Sequence, residues 1–143
     1  MNSKLSFKKS ILAGLVAAGV SATINAILFF ALHAADVITD SFFIKPNETL
    51  TVVPVIISSI IPSLIGAVVF YLFERFSNNG FKIFRVVAIG LMLLSLASPF
   101  LAVQGMPLGY AIALDVMHVV VALILLFFIE KAKIELKFQS RSF

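Results

Sequence analysis

The stretch GYAIALDVMHVVVALILLFFI at residues 109–129 decides the fold class of this chain. It contains a single acid, Asp115, and no Lys or Arg. A helix needs about 20 apolar residues to cross the roughly 30 Å hydrocarbon core of a bilayer. The stretch is therefore long and apolar enough to form a transmembrane helix.

Three more stretches meet the same criterion, and Arg85, at the border of the third, is the only Lys or Arg in the four spans. The predicted spans are residues 11–32, 51–73, 84–103 and 109–129. The run before residue 11 is basic, so the first span could instead belong to a signal peptide. Its apolar residues continue to Leu32, which is longer than a signal h-region and favours a retained span.

Composition agrees with a membrane protein. Of the 143 residues, 61% are hydrophobic and 13% are charged, whereas a soluble domain usually has about a quarter charged residues. Too few polar side chains are present to cover a water-soluble globule. The absence of cysteine excludes disulfides and thiolate metal sites. We expect one domain over residues 1–143, an all-α integral membrane four-helix up-down bundle.

The basic residues are unevenly distributed between the two ends of this bundle. Ten of the eleven lie at one end, in the N-terminal segment, around the connection at 74–83 and in the tail at 130–143. The loop at 33–50 holds only Lys45. Basic residues in short loops mark the cytoplasmic side, so both termini are predicted to be cytoplasmic (N-in/C-in). The net charge of +4 is then mainly a topology signal, and the expected partner is the lipid bilayer, with no nucleic acid.

Polar residues within the spans suggest a site, because such residues are costly in a membrane. At about 1.5 Å of rise per residue, each helix places a polar group at nearly the same depth in the outer half of the bilayer. Proline lacks the N–H that would bond the carbonyl four residues earlier, so Pro62 and Pro99 are expected to free the carbonyls of Ser58 and Ser95. The candidate polar layer consists of Asn25, Ser58, Ser59, Ser95, Asp115 and His118.

Two interpretations of this layer stay open. Asp115 and His118 are three residues apart and share a helix face. With the other members of the layer they could bind Na⁺, relay a proton or hold a small polar ligand. Alternatively, the layer stabilises the bundle through interhelical hydrogen bonds of about 0.6 kcal/mol each. Because the sequence has no catalytic set, phosphate loop or metal-ligand spacing, we expect no enzyme activity, cofactor or metal.

Other features concern packing. In the first span, Gly14, Ala18 and Ala22 form a ladder of small residues, and Ala17, Ser21 and Asn25 form a second one. Such faces let membrane helices approach closely, so this side of the helix is expected to meet the other spans or a second copy. Glu74 and Arg75 are interpreted as an interfacial charge pair. The loop at 33–50 is expected to hold a short helix or to cover the mouth of the bundle.

Features in all four spans resemble a bacterial family of small four-span membrane proteins of unknown function. The residues that carry the resemblance are Asn25, Val53-Pro54-Val55, Pro62, Glu74-Arg75-Phe76, Phe84-Arg85-Val86, Ser95, Pro99 and Met117-His118. The resemblance covers nearly the whole chain and implies a four-helix membrane domain in the bacterial cytoplasmic (inner) membrane. It assigns no activity.

Taken together, these features predict a non-enzymatic structural or interaction protein of the plasma membrane. A homo-oligomer or another membrane protein is the expected partner. The alternative is a small proton- or cation-coupled transporter that uses the polar layer around Asp115 and His118.

Overall fold

A computed structural model describes residues 4–139, and helices make up most of this range. The end of the predicted tail, 140–143, lies outside the described residues. The elements in chain order are α1 (Phe7–Ala34), β1 (Phe43–Lys45), β2 (Glu48–Thr49), α2 (Val52–Phe76), α3 (Gly80–Ser95), α4 (Ser98–Ala102) and α5 (Leu108–Gln139). The all-helical class predicted from the sequence is confirmed.

Within residues 4–139, four helical segments are long and apolar enough to cross a membrane. They are Phe7–Ala34, Val52–Phe76, Gly80–Leu101 and Leu108–Gln139. Many of their large apolar side chains are exposed on the outside of the bundle, as Ile27, Leu94 and Phe127 illustrate. Such an exterior suits lipid tails, which are themselves apolar.

α1 and α2 run antiparallel. On α1, Asn25 contacts Ser59 of α2 while Phe7 packs against Tyr71, so residue numbers rise on one helix as they fall on the other. α1 and α3 each pack against both α2 and α5, and α2 also contacts α5. α1 and α3 therefore occupy opposite corners of the bundle. Residues 4–9, the last turns of α5 and the α2–α3 turn lie at one end, here called the basic end, and residues 35–51 lie at the other, the loop end.

Each end of the bundle has its own apolar core. At the basic end, Phe70, Phe84 and Ile129 are buried in one cluster. The ring of Phe70 meets the rings of both Phe81 and Phe84 edge-on, at centroid distances of 6.3 and 5.4 Å. These rings attach the start of α3 to α2.

The core of the loop end includes residues of the connection between α1 and α2. Ile38 and Leu50 are buried there against Tyr110 and Met117. β1 and β2 form a two-stranded antiparallel hairpin, and Asn47 in its turn has a φ of 61°, a conformation that Asn tolerates. The loop covers the mouth of the bundle as expected, but it does so with a hairpin. The alternative of a short helix is wrong.

The third span is broken near the loop end. α3 ends at Ser95, and Pro99 lies in the first turn of the separate helix α4. Proline is tolerated in a first turn, where its missing N–H has no helical partner, and it disfavours helical geometry in the residue before it. Pro99 therefore does not lie inside α3, and Ser95 is the last residue of that helix. The release of the Ser95 carbonyl by Pro99 stays a prediction. Pro62 does lie inside α2.

The basic end is built from a tight turn and a long final helix. α2 continues to Phe76 and α3 begins at Gly80, so the turn is shorter than the predicted loop at 74–83. A Cβ on Gly80 would overlap the backbone of Glu74, which explains the glycine at this close approach. α5 is 32 residues long and continues to Gln139, ten residues past the predicted span.

Candidate functional site

Asn25 ties three helices together in the loop-end half of the bundle. Its side chain is 1% exposed, and its Nδ2 donates to Ser59 Oγ at 2.9 Å and to the carbonyl of Met117 at 3.1 Å. The three partners come from α1, α2 and α5. We call Asn25, Ser59 and the Met117 carbonyl the asparagine node.

The hydroxyls around this node are directed mainly to their own helix. Ser59 Oγ donates to Val55 O, and Ser63 Oγ donates to Ser59 O, both at 2.8 Å. Among the described residues, Asn25 Oδ1 and the buried Ser21 Oγ one turn away have no hydrogen-bond partner. Buried polar atoms in proteins usually have a partner, so this side of the node has acceptor capacity left.

The second half of the predicted layer faces a different environment. Ser58, Ser95 and His118 line a crevice of about 400 Å³ between α2, α3 and α5. The rest of its wall is almost wholly apolar and includes Phe84 and Met92. A cavity of this size falls within the range of small-molecule sites. The exposed ring of His118 and the exposed side chain of Ser58 are therefore open to whatever enters the crevice.

Each polar side chain of the crevice donates to a carbonyl of its own helix. Ser58 Oγ donates to Val55 O at 3.0 Å, and Ser95 Oγ donates to Met92 O at 2.7 Å. His118 Nδ1 lies 2.8 Å from Leu114 O. A carbonyl only accepts, so Nδ1 carries the proton in this contact, and the neutral ring then has an acceptor at Nε2.

The asparagine node and the crevice are close neighbours. A smaller cavity of about 230 Å³ is lined by Asn25 and Met117 together with Ser58, His118 and Val121. The last three residues also line the crevice. Apart from Asp115, the predicted layer thus falls into two adjoining parts, one buried between three helices and one open.

Asp115 belongs to neither part. Its Oδ1 is buried and has no hydrogen-bond partner among the described residues. Within the part of the chain that the structure describes, no ion pair joins Asp115 to His118. The spacing that puts both residues on one face is present, but the ring of His118 is bonded to Leu114 O instead.

A buried ion pair at the basic end was not expected from the sequence. Glu74 is 3% exposed, and its Oε1 accepts from Lys133 Nζ at 2.7 Å. Arg75, which was interpreted as its partner, donates to the Tyr71 hydroxyl at 2.9 Å instead. The sequence does hold a signal for this burial, because Glu74 continues the three- and four-residue spacing of a buried stripe on α2. That stripe is Val55, Ser59, Ser63, Ala67, Phe70 and Glu74.

The Met117 carbonyl was also missed, since a backbone acceptor leaves no mark in a sequence. Over residues 4–139, no group of three or more His, Asp or Glu side chains is arranged to hold a metal ion. The arrangement can do two things chemically. It can hold helices together through the node, and it can offer hydrogen-bond acceptors to a molecule in an apolar crevice.

The fold, with four apolar helices, is that of a small membrane protein. Residues 6–133 match DUF6069, a family of unknown function, and the chain belongs to that family. This confirms the resemblance seen in the sequence. No curated protein and no solved structure matches the chain.

Proposed function

We propose that this chain is a non-enzymatic interaction protein of the bacterial plasma membrane. In this proposal the crevice between α2, α3 and α5 binds an apolar molecule dissolved in the bilayer. The observation that carries it is the crevice itself, which has a volume of about 400 Å³. Its wall is mostly apolar and includes three polar side chains. Its volume suits a lipid-like chain or a small apolar compound better than a protein helix.

The chemistry of the crevice narrows the class of ligand. The three polar side chains, Ser58, Ser95 and His118, each donate a proton to a carbonyl of their own helix. The atoms that they offer to a bound molecule are therefore hydrogen-bond acceptors. A guest with an apolar body and a hydroxyl or amine donor would complement this wall. A guest that carries only acceptors would gain no hydrogen bond there and would leave its polar atoms buried without a partner.

The membrane orientation is part of the same proposal. The basic end carries Lys4, Lys82 and Lys133, whereas the loop end pairs its single lysine, Lys45, with Glu48 at 3.7 Å. The positive-inside rule then favours both termini in the cytoplasm. Because the chain has no cysteine, Asn78→Cys and Asn47→Cys variants can be labelled in intact cells with a membrane-impermeant maleimide. Labelling of Asn47→Cys alone is expected, and the reverse pattern would contradict the orientation.

The crevice is tested by native mass spectrometry of the protein extracted in mild detergent. Ala88 lines the crevice and its neighbour Ile89 is 39% exposed, so Ala88→Phe fills the space while Ile89→Phe adds the same ring outside. We expect wild type and Ile89→Phe to retain an apolar ligand that Ala88→Phe loses. His118→Ala should bind it more weakly. Equal retention by all four proteins, or none by wild type, would contradict the proposal.

A proton- or cation-coupled transporter is the second candidate, and the buried Oδ1 of Asp115 supports it. A cation bound beside this carboxyl would supply the missing partner, because an unpaired charge is costly in a membrane. In liposomes that hold a pH-sensitive dye, a carrier would lose its flux in Asp115→Asn and keep it in Ser95→Ala. Wild-type liposomes without ion or proton flux would leave only the binding proposal.

A further inference from the structure

A basic cavity of about 290 Å³ opens at the end of the bundle opposite the loop, and the proposed ligand crevice does not include it. It lies between the segment before α1, the α2–α3 turn and the last turns of α5. Its charged lining consists of Lys4, Glu74, Lys82, Glu130, Lys133 and Lys137. Four cations and two anions leave the lining with a formal charge of +2.

Both acids of the cavity are already neutralised. Glu74 pairs with Lys133 at 2.7 Å, and Glu130 pairs with Arg85 at 2.7 Å. Arg85 does not line the cavity. Because it already neutralises Glu130, the charge of Glu130 does not offset the positive charge of the lysines in the lining. The cavity is therefore an electropositive one that can accept an anion.

Two of the lysines have donors to spare. Lys4 Nζ donates to the backbone carbonyl of Arg75 at 3.2 Å, which occupies one of its three protons. Lys82 is exposed and has no ion pair or hydrogen bond within residues 4–139. Asn78 and Asn79 also line the cavity, and side-chain amide N–H groups can donate to phosphate oxygens.

An apolar groove starts at this cavity and follows α3 along the bundle. Asn79 and Lys82 line both the cavity and the groove, whose far end is formed by Val86 and Val87. Val87 in turn lines the crevice. A charged pocket that continues into an apolar groove on the bundle exterior matches a molecule with an anionic head and a hydrocarbon chain.

We propose that the basic cavity binds the phosphodiester headgroup of an anionic phospholipid, with one acyl chain in the groove along α3. The position of the cavity suits this ligand, because it lies at the end of the apolar segments of α2 and α3, the level at which a spanning helix meets lipid headgroups. Lysines near an anionic membrane surface attract its lipids. Free phosphate shares the headgroup chemistry but has no chain for the groove.

The test compares lipid binding by native mass spectrometry, with phosphatidylglycerol and phosphatidylcholine titrated separately onto the detergent-solubilised protein. Wild type should bind phosphatidylglycerol more tightly than phosphatidylcholine. Lys4→Gln and Lys82→Gln should each weaken phosphatidylglycerol binding about fivefold, the factor that corresponds to one lysine contact at roughly 1 kcal/mol. Both positions are exposed, so the variants should keep wild-type far-UV circular dichroism.

Lys8→Gln is the matched control, because Lys8 is exposed at the same end and does not line the cavity. It should bind phosphatidylglycerol as wild type does. An equal loss in Lys8→Gln would overturn the proposal in favour of unspecific surface attraction, as would equal binding of the two lipids. If inorganic phosphate alone bound as tightly as phosphatidylglycerol, a soluble anion would replace the lipid. None of these outcomes bears on Ala88→Phe, so the cavity and the crevice are tested independently.

Discussion

Two sides of the bundle differ in how closely their helices approach. Between α1 and α2 the backbones are so near that a Cβ on Gly14 would overlap the Cβ of Ala67. On the opposite side, α3 leaves a crevice against α2 and α5, and Gly90 has open space around it. The buried residues of α3 within the described range are Gly80 and Phe84, both in its first two turns.

The difference follows from which residues each helix turns inward. Lipid tails are as apolar as leucine, so helices in a membrane gain little from hydrophobic burial and associate through close packing and hydrogen bonds. The inward face of α1 offers Ala17, Ala18 and Ser21, all buried, whereas α3 offers bulkier side chains such as Leu91 and Met92 along the crevice. α3 is held instead by aromatic contacts and by the Arg85–Glu130 ion pair.

The largest effect on stability is expected from Gly14→Val, which disrupts the close contact between α1 and α2. The added side chain has to push α1 away from Ala67 and the Ser63 carbonyl, and overpacking of this kind typically costs about 1–3 kcal/mol. Thermal unfolding in detergent, followed by far-UV circular dichroism, should show a clearly lower midpoint. Gly19→Val is the control, because nothing lies within 4 Å of a Cβ at Gly19. Equal losses in both variants would mean that α1 and α2 do not approach as described.

A smaller effect on stability is expected from Asn25→Leu, which removes the hydrogen bonds of α1 to its neighbours and leaves its close packing against α2 in place. The variant loses the bonds to Ser59 and Met117 and keeps a similar side-chain volume. Interhelical hydrogen bonds in membranes average about 0.6 kcal/mol and reach about 1.7, so the free energy of unfolding should fall by about 1–2 kcal/mol.

The control for Asn25→Leu is Thr23→Val, because the exposed Thr23 hydroxyl bonds only the carbonyl of Gly19 on its own helix. Its unfolding midpoint should stay near that of wild type. A wild-type midpoint for Asn25→Leu would show that close packing alone holds α1 and α2 together.

The smallest effect on stability is expected from Gly90→Ala on α3, where the packing is open. This substitution should stabilise the protein slightly, whereas the other two destabilise it. Within residues 4–139, no atom beyond the adjacent residues and the backbone of the same helix lies within 4 Å of the new Cβ, and alanine is favoured over glycine within a helix by roughly 0.5–1 kcal/mol. The same thermal assay should show an unchanged or slightly higher midpoint. A marked loss of stability would mean that another molecule or another copy packs against this face of α3.

Much of the fold can be predicted from the sequence, because the patterns that specify the helices extend over many residues. Runs of about twenty apolar residues specify the four helices, and the small-residue ladder around Gly14 correctly indicates the close face of α1. Both ladders are buried within one chain, so this face meets the other spans rather than a second copy. The break after Ser95 was not predicted, because proline alone does not say whether a helix bends or ends.

The candidate site was only partly predictable. Depth along each helix can be counted, and counting brought Asn25 to the level of Ser59. The rotation of α2 about its own axis cannot be counted in this way. It directs Ser59 to the asparagine node and Ser58 to the crevice. Two adjacent serines look alike in a sequence, and their difference depends on how α2 is turned toward its neighbours. The role of Asp115 and His118 as an ion site stays a prediction.

The length of α5 has a consequence for how this protein responds to its membrane. At 32 residues and about 1.5 Å per residue the helix spans about 48 Å, well beyond a hydrocarbon core of about 30 Å. Its last turns carry Lys133 and Lys137 to the basic cavity, so the helix sets the height of that cavity above the hydrocarbon. Helices adjust to bilayers of different thickness by tilting or by deforming the lipid around them. A change in membrane thickness would thus raise or lower the cavity relative to the headgroups, and lipid occupancy would vary with the membrane in which the protein resides.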